Sequence, residues 1–412
     1  MACGERTLRT RWLGLSLVAL VLGGVGGCGG GGGSKTLYAV GLGSPNVTIL
    51  TVLSSGALTF TNSVGTGSAP DAIAIDPQLR FAYVVDSADG IGPGGVSQYV
   101  LNRNSGSLAV ATLPAIAGGT TSPSTPIETG VGPAAIAIDS TGTFVFVANT
   151  GAISSNNPVC ILTPSVCVPS ISVYTIDPTG GPLTEVKQPT TTPPTLNCMP
   201  NQPIPCPLPL PPSAVPSALA ITGSMLLVAN SGAGSVSAYP FNSGGALDST
   251  KVVTTTIGGS PSAMSIDPSG KLLFITDPVA STVAAFSIGS SGQLTAVGAP
   301  LAAGTTPVSV RLHPTGKFLY TANQGSNNVS AFSIGSSGAL TKLSDTPVAP
   351  GTSPSYVTTD SSGSFLFVAN SGSNNISVFS IDSGGALKPV TGSPFGPPVV
   401  VIVNPIALAS ID

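Results

Sequence analysis

The chain has 412 residues, 52 of them Gly and 39 Pro, with only 7 % charged residues and a hydrophobic fraction of 42 %. So few charges exclude helical bundles and coiled coils, whose outer faces need Lys, Glu and Arg, and the hydrophobicity excludes wholesale disorder. With 13 basic residues against 16 acidic ones and a formal net charge of −3, a nucleic-acid partner is excluded too, because a phosphate track has to be neutralised.

Residues 1–27 read as a signal peptide. Arg6, Arg9 and Arg11 form a basic start, and Trp12 to Leu22 an apolar core too short to span a bilayer. Val25-Gly26-Gly27-Cys28 resembles a bacterial lipobox, with Cys28 as the lipidated residue. Residues 28–35 follow as a Gly-rich tether that cannot pack. The expected address is the bacterial cell envelope, periplasm or outer membrane. A lipid anchor would be the only membrane contact, and the protein is expected to be a monomer.

From residue 36 onward the chain repeats itself. Pro261 to Gly270 (PSAMSIDPSG) is matched by Pro307 to Gly316 (PVSVRLHPTG). Each is followed by an apolar strand, LLFITD at 272–277 and FLYTAN at 318–323, with FLFVAN at 365–370 as a third copy. An alternating strand comes next, such as Val329 to Ile334, then a Gly/Ser turn and a short Leu-Thr strand. The opening proline recurs at 70, 133, 216, 261, 307, 354 and 405. A four-strand unit of roughly 40–50 residues is the signature of a β-propeller blade. The prediction is an all-β, seven-bladed propeller of four-stranded antiparallel blades over residues 36–412.

The chain starts folding at Thr36 to Val40, which matches a second strand, and stops at Pro405 to Asp412, an opening strand. The C-terminal strand is therefore expected to complete the N-terminal blade and close the ring. The long spacings after Pro70 and Pro133 are read as insertions, with 150–170 and 187–212 placed in blade three. These carry Cys160, Cys167, Cys198 and Cys206, read as two local disulfides, Cys160–Cys167 and Cys198–Cys206, outside the cytoplasm. Their spacing is wrong for zinc, and no metal or cofactor motif is present.

The strand ends Tyr320 to Asn323, Val228 to Asn230 and Phe367 to Asn370 resemble the YVTN-type propeller repeat. The unit from Asp267 to Phe274 is similar to repeats of the lactonase (6-phosphogluconolactonase-like) family of seven-bladed propellers. That resemblance implies the fold and, as an expectation, activity on a small lactone. The shared residues are those that build a blade, so no catalytic set is carried over with them.

Polar positions that recur have a structural explanation first. Asp76, Asp139, Asp267, Asp360 and Asp412 close opening strands ahead of Pro-x-Gly or Ser-x-Gly turns, and His313 takes the same position. Asn149, Asn230, Asn323 and Asn370 end second strands, on the face where propellers usually bind ligands. They are candidates for a carboxamide ring that holds a neutral, polar or carbohydrate ligand. The informative position breaks its pattern. In the column Ala74, Ala137, Ala220, Ser265, Arg311, Thr358 and Ser410, Arg311 alone is charged, and Tyr356 replaces a small residue in the next blade. Arg311 and Tyr356 are candidate ligand contacts, with Arg311 and Glu128 the candidate catalytic pair. The leading expectation is a non-catalytic binding or scaffolding propeller, and the alternative is a lactonase-like hydrolase.

Overall fold

The computed structural model describes residues 35–87, 93–111, 126–151, 168–188, 207–349, 351–397 and 402–411. Cys28, the pairs Cys160–Cys167 and Cys198–Cys206, and Asp412 lie outside them, as does much of both insertions. The described strands form seven antiparallel sheets.

Blade 6 shows how the sequence sets the pattern. Its strands are Pro307–Leu312, Phe318–Asn323, Asn328–Ile334 and Leu340–Pro347, paired in that order. The first turn closes with the Gly316 amide donating to the His313 carbonyl at 2.8 Å, and Gly316 takes the positive φ (+73°) that a side chain resists. At Pro307 the ladder slips by one residue, leaving Val308 in a bulge. The same slip follows Pro70, Pro216 and Pro354. Ala69, Val215, Thr306, Ser353 and Asn404, each just before an opening proline, hold left-handed backbone.

The inner strands of blades 1 to 7 are Pro405–Ile411, Pro70–Ile75, Pro133–Ile138, Pro216–Thr222, Ala263–Ile266, Pro307–Leu312 and Pro354–Thr359. Each touches the inner strand of the next blade, and the cycle is complete. Closure occurs as expected, with Lys35–Gly41 pairing with Pro405–Ile411. Lys35 adds an ion pair to Asp360 of blade 7 and a 2.8 Å bond to Ser362.

Packing between blades follows from alternation along each inner strand. Ala72 and Ala74 share a cluster with Ile136 and Ile138 of the next blade, and Ala135 and Ala137 share one with Leu219 and Ile221. Ala407 and Ala409 meet Ile73 and Ile75 in the same way. Small side chains on one strand thus face branched ones on its neighbour. The positive-φ glycines of the third turn add a second contact: a Cβ on Gly385 would lie 2.4 Å from the Phe318 ring of the preceding blade. Tyr320 of that blade donates to the Gly385 carbonyl at 3.0 Å.

At the rim, three outer positions are each shared by two short segments: 108–110 with 127–131, 183–185 with 208–209, and 294–296 with 301–302. The outer strands Leu58–Gly65 and Leu340–Pro347 are single elements, each with a one-residue bulge, at Thr61 and Leu343.

Deleting residues 405–412 removes the inner strand of blade 1 and the buried Leu408 and Ile411. Each such side chain contributes about 1.5–3 kcal/mol, so the truncated chain is expected to melt on the order of 10 °C lower, or not to fold. Thermal unfolding followed by circular dichroism checks this, and a midpoint within about 2 °C of the full chain would refute the role given to closure.

Candidate functional site

Across the seven inner strands only two residues are charged, Asp71 in blade 2 and Arg311 in blade 6. Register places Arg311 opposite Tyr320, as Ala74 is opposite Tyr83 and Ala409 opposite Tyr38. The blade 1 member of the column is therefore Ala409, and Ser410, expected there, sits one position further on. Counting back from Asp412 gives the wrong register because this inner strand runs one residue longer past its proline.

Arg311 occupies a place built for a methyl group. In the neighbouring blade its contact is Thr359, where other blades present Ile75, Ile138, Ile221 or Leu312, so the next strand gives up bulk to accept the guanidinium. Arg311 Nε donates to Thr359 Oγ1 at 3.4 Å, a long bond. Among the described residues no carboxylate pairs with Arg311. Burial pulls its pKa down, with the Tyr356 phenol acting in the opposite sense. Arg311 is half-buried, while Tyr356 is 3 % exposed.

Hydroxyl groups cluster in the same sector. The Ser309 hydroxyl accepts from the Val357 amide at 3.2 Å, and Ser265 accepts from the Leu312 amide at 3.2 Å. Ser410 donates to the Thr359 carbonyl at 2.8 Å. Thr358 is buried as well, but alternation turns it to the other face of its strand, toward blade 1 and away from Thr359. The ring is therefore two-sided: alanines line blades 1 to 4, whereas Ser, Thr, Tyr and Arg line blades 5 to 7. An uncompensated guanidinium among hydroxyls can receive an anionic or oxyanionic group.

The expected partner of Arg311 is elsewhere. Glu128 lies on the outer segment Ile127–Val131 of blade 2, paired with Gly95 and exposed, because the stretch before Pro133 is a rim strand and not a loop at the mouth. The structure does not bring Glu128 to Arg311. The asparagines also fail to form a ligand ring, since their side chains are turned into the blades. Asn323 Nδ2 donates to Asn328 Oδ1 at 2.7 Å and Ser330 Oγ at 2.9 Å, and Asn370 makes the matching bonds to Asn375 and Ser377, both at 2.8 Å. Asn230 and Asn149 bond to Ser237 and Ser172 at 3.1 and 3.0 Å. All four are buried, with Asn149 and Asn370 at 0 % exposure. They lock the second strand to the third and contact the backbone leading into their own blade. A Cβ on Gly304 or Gly351 would reach the Asn323 or Asn370 amide at 2.7 or 2.4 Å.

The ionisable turn residues act between blades. His313 holds the Gly363 carbonyl at 2.9 Å, and Arg80 pairs with Asp76 at 2.8 Å while donating to the Gly142 carbonyl at 3.1 Å. Both stand on the face opposite the opening prolines. Asp71 is the residue that sequence reasoning passed over. Its position holds Ala134, Ser217, Ser262, Val308, Ser355 and Ile406 elsewhere, so it breaks a second pattern as plainly as Arg311 breaks the first. Ser217 and Ser355 donate from that position to the Pro261 and Pro405 carbonyls, each at 2.6 Å, which places it at the rim of the mouth.

The fold and this ring define a seven-bladed β-propeller with a polar sector at its axis. The profile of the family described as Lactonase, 7-bladed beta-propeller matches residues 170–311 and 223–403, more than half of the chain, and the chain belongs to that family. A search of curated protein sequences finds no match. Among solved structures, a candidate 6-phosphogluconolactonase from Bacteroides fragilis is similar at 18 % identity and a TM-score of 0.67, covering 92 % of this chain and 99 % of that one. A periplasmic gluconolactonase from Pseudomonas aeruginosa gives the same four figures. Hydrazine synthase from Kuenenia stuttgartiensis is similar at 16 % identity and a TM-score of 0.58, again covering 92 % and 99 %. At these identities the likeness is one of fold.

Replacing Arg311 by Met removes a desolvated charge that has no described counter-ion. Stability is expected to stay within about 1 kcal/mol of the wild type or to rise, as measured by chemical denaturation. A loss beyond about 3 kcal/mol would mean that the guanidinium completes a buried ion pair.

Proposed function

We propose that this propeller takes a small polar lactone, or the acid formed when it opens, into the polar sector of its axial ring. Arg311 would meet the carboxylate or the developing oxyanion. The observation that carries this reading is the half-buried guanidinium among Ser309, Tyr356 and Thr359, with no carboxylate of the described residues paired to it. Membership of the lactonase family supports the substrate class. So do the solved structures named for 6-phosphogluconolactonase and gluconolactonase activity.

Lactone hydrolysis needs a donor for the oxyanion and a base for water. Arg311 fits the first role, and Asp71 is the only acidic side chain on the inner strands. A second reading, binding or scaffolding without turnover, is favoured by one observation: the groups grouped with Arg311 are hydroxyls and a phenol, not an acid–base pair.

The two readings separate in one experiment. Mature protein is incubated with glucono-δ-lactone and its 6-phosphate while acid release is followed by pH-stat, and calorimetry measures binding of gluconate and 6-phosphogluconate. Hydrolysis above the spontaneous rate, lost in Arg311→Met, is the outcome expected for the enzyme. Arg311-dependent binding without turnover supports the second reading, and neither binding nor turnover removes both.

We further propose that lipid on Cys28 holds the propeller at a membrane of the bacterial envelope, on the periplasmic side or at the outer membrane. The lipobox-like Val25 to Cys28 and the glycine tether support this. Cys28→Ser is expected to release the protein to the soluble fraction and to abolish palmitate labelling. Unchanged membrane association of that variant would count against the anchor.

A further inference from the structure

Asp86 ends the second strand of blade 2, at the position held by Asn149, Asn230, Asn323 and Asn370 in four other blades. It is 3 % exposed. Its Oδ2 accepts from Ser97 Oγ at 2.6 Å, and the Gly67 amide donates to the same Ser97 oxygen at 3.1 Å. Its Oδ1 is buried with no hydrogen-bond partner among the described residues. Blade 6 builds the same triad from Asn323, Ser330 and Gly304. There the amide of Asn323 donates to Ser330 at 2.9 Å, the Gly304 amide donates at 3.1 Å, and the Ser330 hydroxyl in turn donates to Asp345 Oδ1 at 2.5 Å.

The two triads differ in one proton. An asparagine amide can donate at this position, whereas a carboxylate can only accept. Blade 5 also has an acid here, Asp277, but that residue is half-buried and receives the Val279, Ala280 and Ser260 amides at 2.9, 3.0 and 3.2 Å. Asp86 is drawn on by the Ser97 hydroxyl and amide, the Gly67 amide and the Thr66 hydroxyl, but burial outweighs them, and no cation stands beside it among the described residues. Along the row Pro70, Asp86, Gly95, Glu128 the other ionisable group is the exposed Glu128, Asp71 follows Pro70, and Tyr99 stands on the third strand. The lead-in backbone is pressed onto the carboxyl, since a Cβ on Gly67 would meet Asp86 Cγ at 2.7 Å. A charge here is desolvated, and the ionisable groups near it are acids and a phenol, which favours the neutral form.

We propose that Asp86 is a proton-operated clamp on residues 66–69, the loop that leads into blade 2. When neutral, it holds that loop against the third strand as asparagine does elsewhere. When ionised, it loosens the loop and the start of the inner strand, Pro70 and Asp71, at the mouth of the ring. The clamp is independent of what the ring binds. Burial raises the Asp86 pKa to about 6 from the ordinary 3.8, against the pull of Ser97 and Gly67. The native state therefore binds a proton that the unfolded chain does not hold between those values. The added stability is fully present below the unfolded pKa and is lost as pH rises through about 6. One proton over about two pH units is worth about a hundredfold in the folding equilibrium.

The test compares the full wild-type chain with Asp86→Asn between pH 4.5 and 7.5. Denaturant unfolding and amide exchange at residues 66–71, corrected for intrinsic rates, are both read. In the wild type, protection of this loop is expected to fall as pH rises through 6. In Asp86→Asn it should stay constant, and at pH 7.5 the variant should fold more favourably, by up to about a hundredfold. An unchanged pH dependence in the variant, or a variant less stable than wild type at pH 7.5, overturns the proposal. So does a wild-type Asp86 carboxyl that titrates near 4 by carbon NMR.

Discussion

The interlock between neighbouring inner strands is the constraint on which the rest of the molecule depends. A single four-stranded blade has two faces to bury and cannot do so alone. Blades 1 to 4 offer alanines to one neighbour and branched side chains to the other, and blades 5 to 7 fill the same positions with Ala, Ser, Arg, Tyr and Thr, so every blade is both receiver and insert. Such an arrangement has no natural end and is satisfied only as a ring. The pairing of Lys35–Gly41 with Pro405–Ile411 satisfies it, and it does so through the two most distant parts of the chain. The exchange at blades 6 and 7 obeys the same rule of volume: Arg311 enters where methyl groups belong, and Thr359 stands where Ile or Leu belongs. Overpacking is thereby avoided at the one place where the column carries a charge.

Blade number, strand order and closure were legible in the sequence because they rest on repetition, and a proline every 45 to 51 residues through the regular blades is hard to produce otherwise. Other features could not be read in this way. A strand-ending asparagine looks alike whether it points outward or locks two strands, and only its partners Ser330 or Ser377 decide the matter. Glu128 is five residues from an opening proline, but those residues form a rim strand, so nearness in sequence does not bring it to the axis. The Ser410 misplacement came from counting from the end of a strand whose length varies. The positive φ at Val215 and Thr306 had no visible signal, because residues before proline ordinarily prefer extended backbone. Asp71 is legible only along the bulged position beside the opening prolines, a second column separate from the one that holds Arg311.

The fold constrains function only loosely. A propeller similar to this one occurs in proteins named for lactone chemistry and in hydrazine synthase, so the blade framework is common property. This chain departs from its own regularity in the inner lining of blades 5 to 7, where hydroxyls bond across strands that elsewhere meet through methyl groups. Such bonds fix the relative height of adjacent strands more strictly than apolar contact does. The sector that holds Arg311 is therefore tied together by hydrogen bonds across its strands, a condition that suits a binding group on a scaffold.

The divided outer strands have a consequence for behaviour in concentrated solution. A sheet edge recruits a foreign strand when it is long, flat and uninterrupted. In blades 2, 3 and 5 each rim is cut into pieces of two to five residues. The longer rim strand of blade 6, bulged at Leu343, carries Lys342 and Asp345, which form an ion pair on it. A chain with so little charge cannot rely on electrostatic repulsion between its copies. Colloidal stability rests instead on denying a partner enough consecutive backbone to grip, and on the longer rim strand Leu58–Gly65 of blade 1 a bulge at Thr61 interrupts the edge.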